Sequence, residues 1–309
     1  MKRLIKKTAF LLFPFILIVG LVEYRLRHVP NEFSSTKAAF DTKVGEVEIL
    51  ITGTSHAQNG VAPQSLALPA FNLAYGSQSL HYDTQLVLKY VDSMPNLKLV
   101  IFAISYHALE YRLLNSIERW RSGFYNQVYG IPGEDGGEGF KLVNYSYIAL
   151  FTPKEALRLA SGGFLGAAEA EAKRNQAPTT FAQGDVSERY GRIRVRGHEA
   201  QMRQVDLVNN VAALERVSAL LKQRNVSVVF ITVPTHHTYY DHINVTSYQR
   251  MQETIKQITG KLGVPYFNYL RDDRFTLEDF VDSDHLNKRG AEKLSHILNE
   301  DVVKRYVQR

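Results

Sequence analysis

Two short stretches near opposite ends of the chain carry residues whose types and spacing could do chemistry. "ILITGTSHAQNG", residues 49–60, ends an apolar run in Gly53, Thr54, Ser55 and His56. A serine just past a strand can be a nucleophile, provided a base takes its proton. Far downstream, "FVDSDHLNKRGAEKL" sets His285 in a loop before the last helical segment, with Asp282 three residues ahead. In a tight loop that spacing brings a carboxylate to one imidazole nitrogen and leaves the other for the serine. Ser55 is therefore the candidate nucleophile, His285 the candidate base and Asp282 its orienting carboxylate. Singly, each signal has a plainer reading. A serine after a strand is commonly a turn or cap residue, and Asp284 reads as part of the helix start. The specific observation is the two signals together.

These residues need a scaffold that brings distant strand ends to one place. Residues 47–51, 70–74, 97–105 and 226–234 are apolar runs of strand length, and "VPYFNYL" follows as a fifth. The run at 97–105 suits a central parallel strand buried on both faces. Helical spacing fills the intervals, in "LHYDTQLVLKYVDSM", over about 204–224, over about 247–262, and from Lys288 onward. Strands alternating with helices predict a parallel sheet covered on both sides. Ligands bind such sheets beyond the carboxyl ends of the strands, where Ser55 falls. A helix starting near Ala57 would aim its first N–H groups at a developing oxyanion. Residues 111–200 break the alternation and are rich in Gly, Tyr and Arg. They read as an insertion, part of which must be ordered.

The chain of 309 residues is 45% hydrophobic, carries a net charge of +6 and has no cysteine. Thiolate metal sites, disulfides and a cysteine nucleophile are excluded. Its basic residues are scattered, which argues against nucleic acid as a partner. "MKRLIKK" followed by the apolar residues 8–22 reads as an uncleaved signal anchor, with the basic end cytoplasmic. The expected organisation is an anchor over 1–29, a polar linker over 30–45 and an α/β domain over 46–309. That domain would face the periplasm or the cell exterior.

The strand leading to "GTSH", the distant "DSDHLN" and the Gly-Ala at the start of the last helix resemble the SGNH (GDSL-like) hydrolase superfamily. Within it, they are most similar to a membrane-anchored envelope branch that includes the D-alanyl transfer protein DltD and alginate O-acetylation proteins. The resemblance covers residues 47–110 and 204–305. It implies a flavodoxin-like α/β/α sandwich, acyl-ester chemistry and no cofactor. By position it implies Ser55, His285 and Asp282 as the catalytic set, with the N–H groups of Ser55 and Gly76 as oxyanion donors. The family's third block supplies an asparagine, but the matching strand end here is "AISYHALE". Either that donor is missing, or Ser105, Tyr106, His107 or Asn59 replaces it.

Other residues are weighed beside these. His56 is a candidate substrate contact. His236 and His237 follow a core strand near the active end of the sheet, which makes His237 a further candidate substrate contact, but no carboxylate at close helical spacing completes a metal site, so no metal is expected. Tyr239 and Tyr240 could stack on a sugar ring, while Asn72 reads as structural. "ERYGRIRVRGH" reads as a solvated strand or loop. The expected function is an envelope-facing serine esterase or O-acyltransferase, with an acyl ester or thioester as donor, acetyl the foremost group and a cell-surface polysaccharide as its substrate. The alternatives are a non-catalytic glycan-binding or assembly partner of a membrane-bound O-acyltransferase, and a phospholipid or lysophospholipid hydrolase.

Overall fold

The computed structural model describes residues 1–136, 141–160 and 184–307. Among these residues five strands form one parallel sheet: β1 (Ile49–Gly53), β2 (Ala70–Asn72), β3 (Leu99–Ala103), β4 (Ser227–Thr232) and β5 (Tyr266–Asn268), in the order β2-β1-β3-β4-β5. This is the flavodoxin-like order, which reverses direction between β1 and β3. Every residue of β1 and β3 is buried, which is why both read as continuous apolar runs. The register pairs Gly53 with Ala103 at the carboxyl edge. The first strand starts two residues later than its apolar run suggests, because Glu48 and Ile49 bond to the carbonyl of Pro69 and set the ladder there.

Side chains alternate across the sheet. Ile49, Ile51, Leu99, Ile101, Val229 and Ile231 share one core with Ala57, Leu294 and Leu298. These last three belong to α3 (Ser55–Gly60) and a helix at Lys288–Leu298, which pack together. Thr52, Phe102 and Phe230 turn the other way. There α4 (Leu80–Tyr90), a helix at Leu207–Gln223 and another at Val245–Leu262 form the third layer. The three-layer α/β/α sandwich expected from the sequence is the fold of the chain.

The segment expected as a linker is largely helical. Between α1 (Lys2–His28) and β1 lies α2 (Glu32–Lys43). Phe33 and Phe40, seven residues apart, fall on one face and are both buried. Phe33 stacks on Phe124 and Phe40 packs edge-on against Phe71 and Tyr90. The low apolar content of the segment hid these two anchors.

The chain divides into two compact units, Met1–Lys37 with Trp120–Asn175, and Ala38–Arg119 with Gln176–Arg309. The insertion expected over 111–200 is thus not one body. In the first unit α5 (Arg121–Tyr129) and α6 (Pro153–Ala160) accompany α1. In the second, α7 (Glu188–Glu199) belongs with the sheet. The later helices are α8 (Leu207–Gln223), α9 (His237–Tyr240), α10 (Val245–Leu262) and α11 (Lys288–Leu298). Among the described residues one helix, α1, is long and apolar enough to cross a membrane.

Candidate active site

The serine is placed by a sharp exit from β1. Gly53 has φ +150°, and a Cβ there would lie 2.7 Å from the Ala103 carbonyl oxygen, so glycine is required. Thr54 then caps α3 by accepting from the His56 N–H, and its hydroxyl lies 2.9 Å from that of Ser105. Ser55 is therefore the first residue of α3, two residues earlier than the expected helix start.

The histidine is placed by a tight loop pinned at both sides. Val281 N–H donates to the His285 carbonyl, and Asn287 N–H donates to that of Asp279. Asn287, not Asp284, caps α11. Within the loop one Asp282 oxygen accepts from the N–H groups of Asp284 and His285, at 3.0 and 2.8 Å. The carboxylate also meets His285 Nδ1 at 2.9 Å, and His285 Nε2 lies 2.8 Å from Ser55 Oγ. Nδ1–H donating to Asp282 leaves Nε2 as an acceptor for the serine proton. Burial alone would lower the His285 pKa. The Asp284 and Asp282 carboxylates outweigh it and hold the pKa above the ordinary 6.5.

Behind this chain of hydrogen bonds lies a buried polar cluster. The Asp284 carboxylate is fully buried, and one oxygen lies 3.8 Å from His285 Nδ1. Arg194 of α7 holds it with two nitrogens, Nε at 2.9 Å and Nη2 at 2.7 Å. Burial favours a neutral Asp284, but His285, His56 and Arg194 hold its pKa well below the ordinary range. His56 Nε2 approaches the same carboxylate at 3.4 Å. His107 stacks on His198 with ring centroids 4.3 Å apart, and His198 Nδ1 lies 2.6 Å from the Tyr239 hydroxyl. Burial pushes all three histidines down, His107 to about 3. They are neutral, and Arg194 is the charge that faces Asp284.

These positions correct several expectations. His56, Ser105, Tyr106, His107 and Tyr239 are all buried, so none is an open substrate contact. Tyr239 is wholly enclosed and offers no face to a sugar. Asn59 turns its amide back onto the Ser55 carbonyl at 2.8 Å. His237 sits on the surface, 3.6 Å from Glu188 and 3.8 Å from Asp241. Gly76 lies in the turn after β2, ahead of Ser77, whose φ is +56°. "ERYGRIRVRGH" is not a solvated loop but α7, and it brings Arg194 and His198 into the site. Gly191 makes this possible, since a Cβ there would lie 1.7 Å from the Thr238 carbonyl oxygen. Arg194 and His198, four residues apart beside the buried Val195, share a helix face; that spacing was the available signal.

His56, His198 and Asp284 bring possible ligand atoms within 4.8 Å of one another, as do Asp282, Asp284 and His285. Both sets share Asp284, whose carboxylate already carries the Arg194 guanidinium.

The turn that carries Ser55 is also braced from below. Asp83 of α4 is fully buried and accepts from the Thr52 hydroxyl, from Gln78 Nε2 at 2.6 Å and from the Gly53 N–H. It thereby ties the end of β1 to the loop that holds Gly76. Burial raises its pKa to about 7 against these donors. The folded state therefore keeps a proton that the unfolded chain releases near pH 3.8. This contribution is full below pH 3.8 and is lost as pH rises through about 7. Asp83→Asn should flatten it: the Tm difference between wild type and variant should change between pH 4 and pH 7 and then level off. Thermal melts across that range test this, and a constant difference would contradict it.

Fold and site together make the second unit a doubly wound α/β domain with a serine–histidine–aspartate chain at its switch point. No protein-family model matches the chain, and no curated protein matches it. Among solved structures, it is similar to a Bacteroides fragilis protein described by inference as an acylhydrolase, at 8% identity and a TM-score of 0.42, covering 86% of this chain and 94% of that one. It is also similar to a GDSL-like lipase from Bacteroides thetaiotaomicron, at 9% identity and a TM-score of 0.41, covering 88% and 98%. A Streptococcus pneumoniae protein, described by inference as a platelet activating factor, shows 13% identity and a TM-score of 0.41 over 92% and 98%. The architecture stated here rests on the strand order itself.

Proposed function

We propose that this protein is a membrane-anchored serine esterase or O-acyltransferase of SGNH type, acting from the envelope side on acyl groups, acetyl foremost, of a cell-surface polysaccharide. The observation that carries the chemistry is the 2.8 Å approach of His285 Nε2 to Ser55 Oγ, with Asp282 on the other ring nitrogen. In the proposed reaction Ser55 Oγ adds to the acyl carbonyl and its proton passes to His285 Nε2. Collapse expels the donor's alkoxide or thiolate, which takes that proton and leaves Ser55 acylated. A sugar hydroxyl or water then gives its proton to His285 and attacks, and Ser55 recovers the proton as the acyl group departs. The N–H groups of Ser55 and Gly76 are assigned to the oxyanion. The apolar α1 supports the anchor. The polysaccharide rests on the sequence resemblance alone.

Fluorophosphonate labelling of the full chain, read by intact mass, tests the reading. One adduct on Ser55 is expected, and none in a folded sample would reject it. The rate should also report His285. Only the neutral imidazole takes the serine proton, and its pKa lies above 6.5. The labelling rate should therefore fall on acidification, with a midpoint on the alkaline side of 6.5. A midpoint well below that value would contradict the two-carboxylate environment.

A further inference from the structure

We infer that the segment 141–160 lies on the phospholipid surface where α1 leaves the membrane, so that the first unit rests in the headgroup layer instead of hanging clear on a tether. The inference rests on α1 crossing a bilayer. Along α1, residues 10–21 are bare, Val22 and Glu23 are partly covered and Leu26 is buried. The apolar run 8–22 thus ends where the protein body begins. Glu23 lies one residue beyond that run, about 1.5 Å further along the helix axis. Its carboxylate accepts from the N–H groups of Tyr147 and Ile148, at 2.9 and 3.1 Å, and from the Ser146 hydroxyl at 2.9 Å. Arg27 donates to the Tyr145 carbonyl at 2.7 Å, with its guanidinium over the Tyr147 ring. These bonds fix the segment at the level of the membrane boundary.

What the segment turns outward suits that level. Tyr145 is 63% exposed, Leu142 58% and Leu157 61%. Packed against α1, the helix α6 buries Ala156 and Leu159 and exposes Leu157 with Lys154, Glu155 and Arg158. Exposed tyrosine and leucine beside cations is the composition of an interfacial segment, with rings and aliphatic chains at the acyl boundary and charges among phosphates. The attachment of these exposed residues to the end of the bare, apolar stretch of α1 selects lipid as the occupant.

The chain has no cysteine, so single spin labels can be placed without background. Leu142→Cys, Tyr145→Cys and Leu157→Cys are labelled in the full chain in phosphatidylglycerol-containing nanodiscs, with Ile16→Cys as the membrane reference. Relaxation by oxygen, which partitions into lipid, is compared with relaxation by a water-soluble nickel chelate. Labels at 142, 145 and 157 are expected to favour oxygen several-fold, less strongly than the label at 16. Preference for the chelate at all three overturns the inference and leaves the anchor standing if position 16 still favours oxygen. Preference for the chelate at position 16 overturns both. Shielding from both reagents would point to a second copy on this face and would also overturn the lipid assignment. The fluorophosphonate reaction is unaffected by these changes and separately reports the proposed chemistry.

Discussion

Ser55→Ala should abolish fluorophosphonate labelling and lower esterase turnover by about 10⁴-fold or more, and His285→Ala should do nearly the same. The reason lies in the shared proton. The serine hydroxyl is unreactive until Nε2 accepts from it at 2.8 Å, and the imidazole has no task without the serine. Groups that act as one unit lose their effect together, so the double variant should be no slower than either single one. Additive losses in the double variant would show that the two residues act independently. Asp282→Asn is expected to be milder, since Asp284 still faces the same imidazole at 3.8 Å. It is not silent, because Asp282 also accepts from two backbone N–H groups of the loop. The fall should appear in kcat with little change in KM, as expected when an interaction matters only in the transition state.

Arg194→Gln should destabilise the domain by about 3–5 kcal/mol, the cost of leaving a buried carboxylate without its cation. Asp284 is fully enclosed, and its other close neighbours are histidines that burial keeps neutral, together with His285. Its depressed pKa means that its stabilisation is present above pH 3.8 and is lost as pH falls through the folded value. In the variant that pKa should rise, so acid unfolding should begin at a higher pH. His285 should respond too. Arg194 opposes its protonation, so the acid limb of the labelling rate should move to higher pH in any Arg194→Gln that remains folded. The paired change Arg194→Met with Asp284→Leu should recover much of the lost stability, because it leaves no unpaired charge. Thermal denaturation of the single and paired variants checks this. An unchanged Tm in Arg194→Gln would show that the ion pair carries no stability.

The parts of the site readable from sequence are those made by neighbours in the chain. Gly53 to Ser55 follow an apolar run directly, and Asp282 and His285 are three residues apart in one loop; such spacings survive into space because few torsions intervene. The parallel sheet also follows from local pattern, since strands alternate with helices, whereas its flavodoxin-like arrangement was implied by the family resemblance. Sequence does not reveal which buried charges meet. Arg194 and Asp284 are 90 residues apart, in a tract whose charge density resembles a solvated loop. Only the packing of α7 against α9, permitted by Gly191, takes that arginine partly out of water. Tyr239, His56 and His107 show the converse: polar tips make them look like surface contacts, yet the fold encloses them among ring contacts to one another and to His198, which also bonds the Tyr239 hydroxyl. The sequence by itself determined which serine and histidine are the candidate nucleophile and base, and the end of the sheet where they meet. Tertiary structure decided the charge balance around that base, because burial and long-range pairing are properties of packing, not of neighbouring residues.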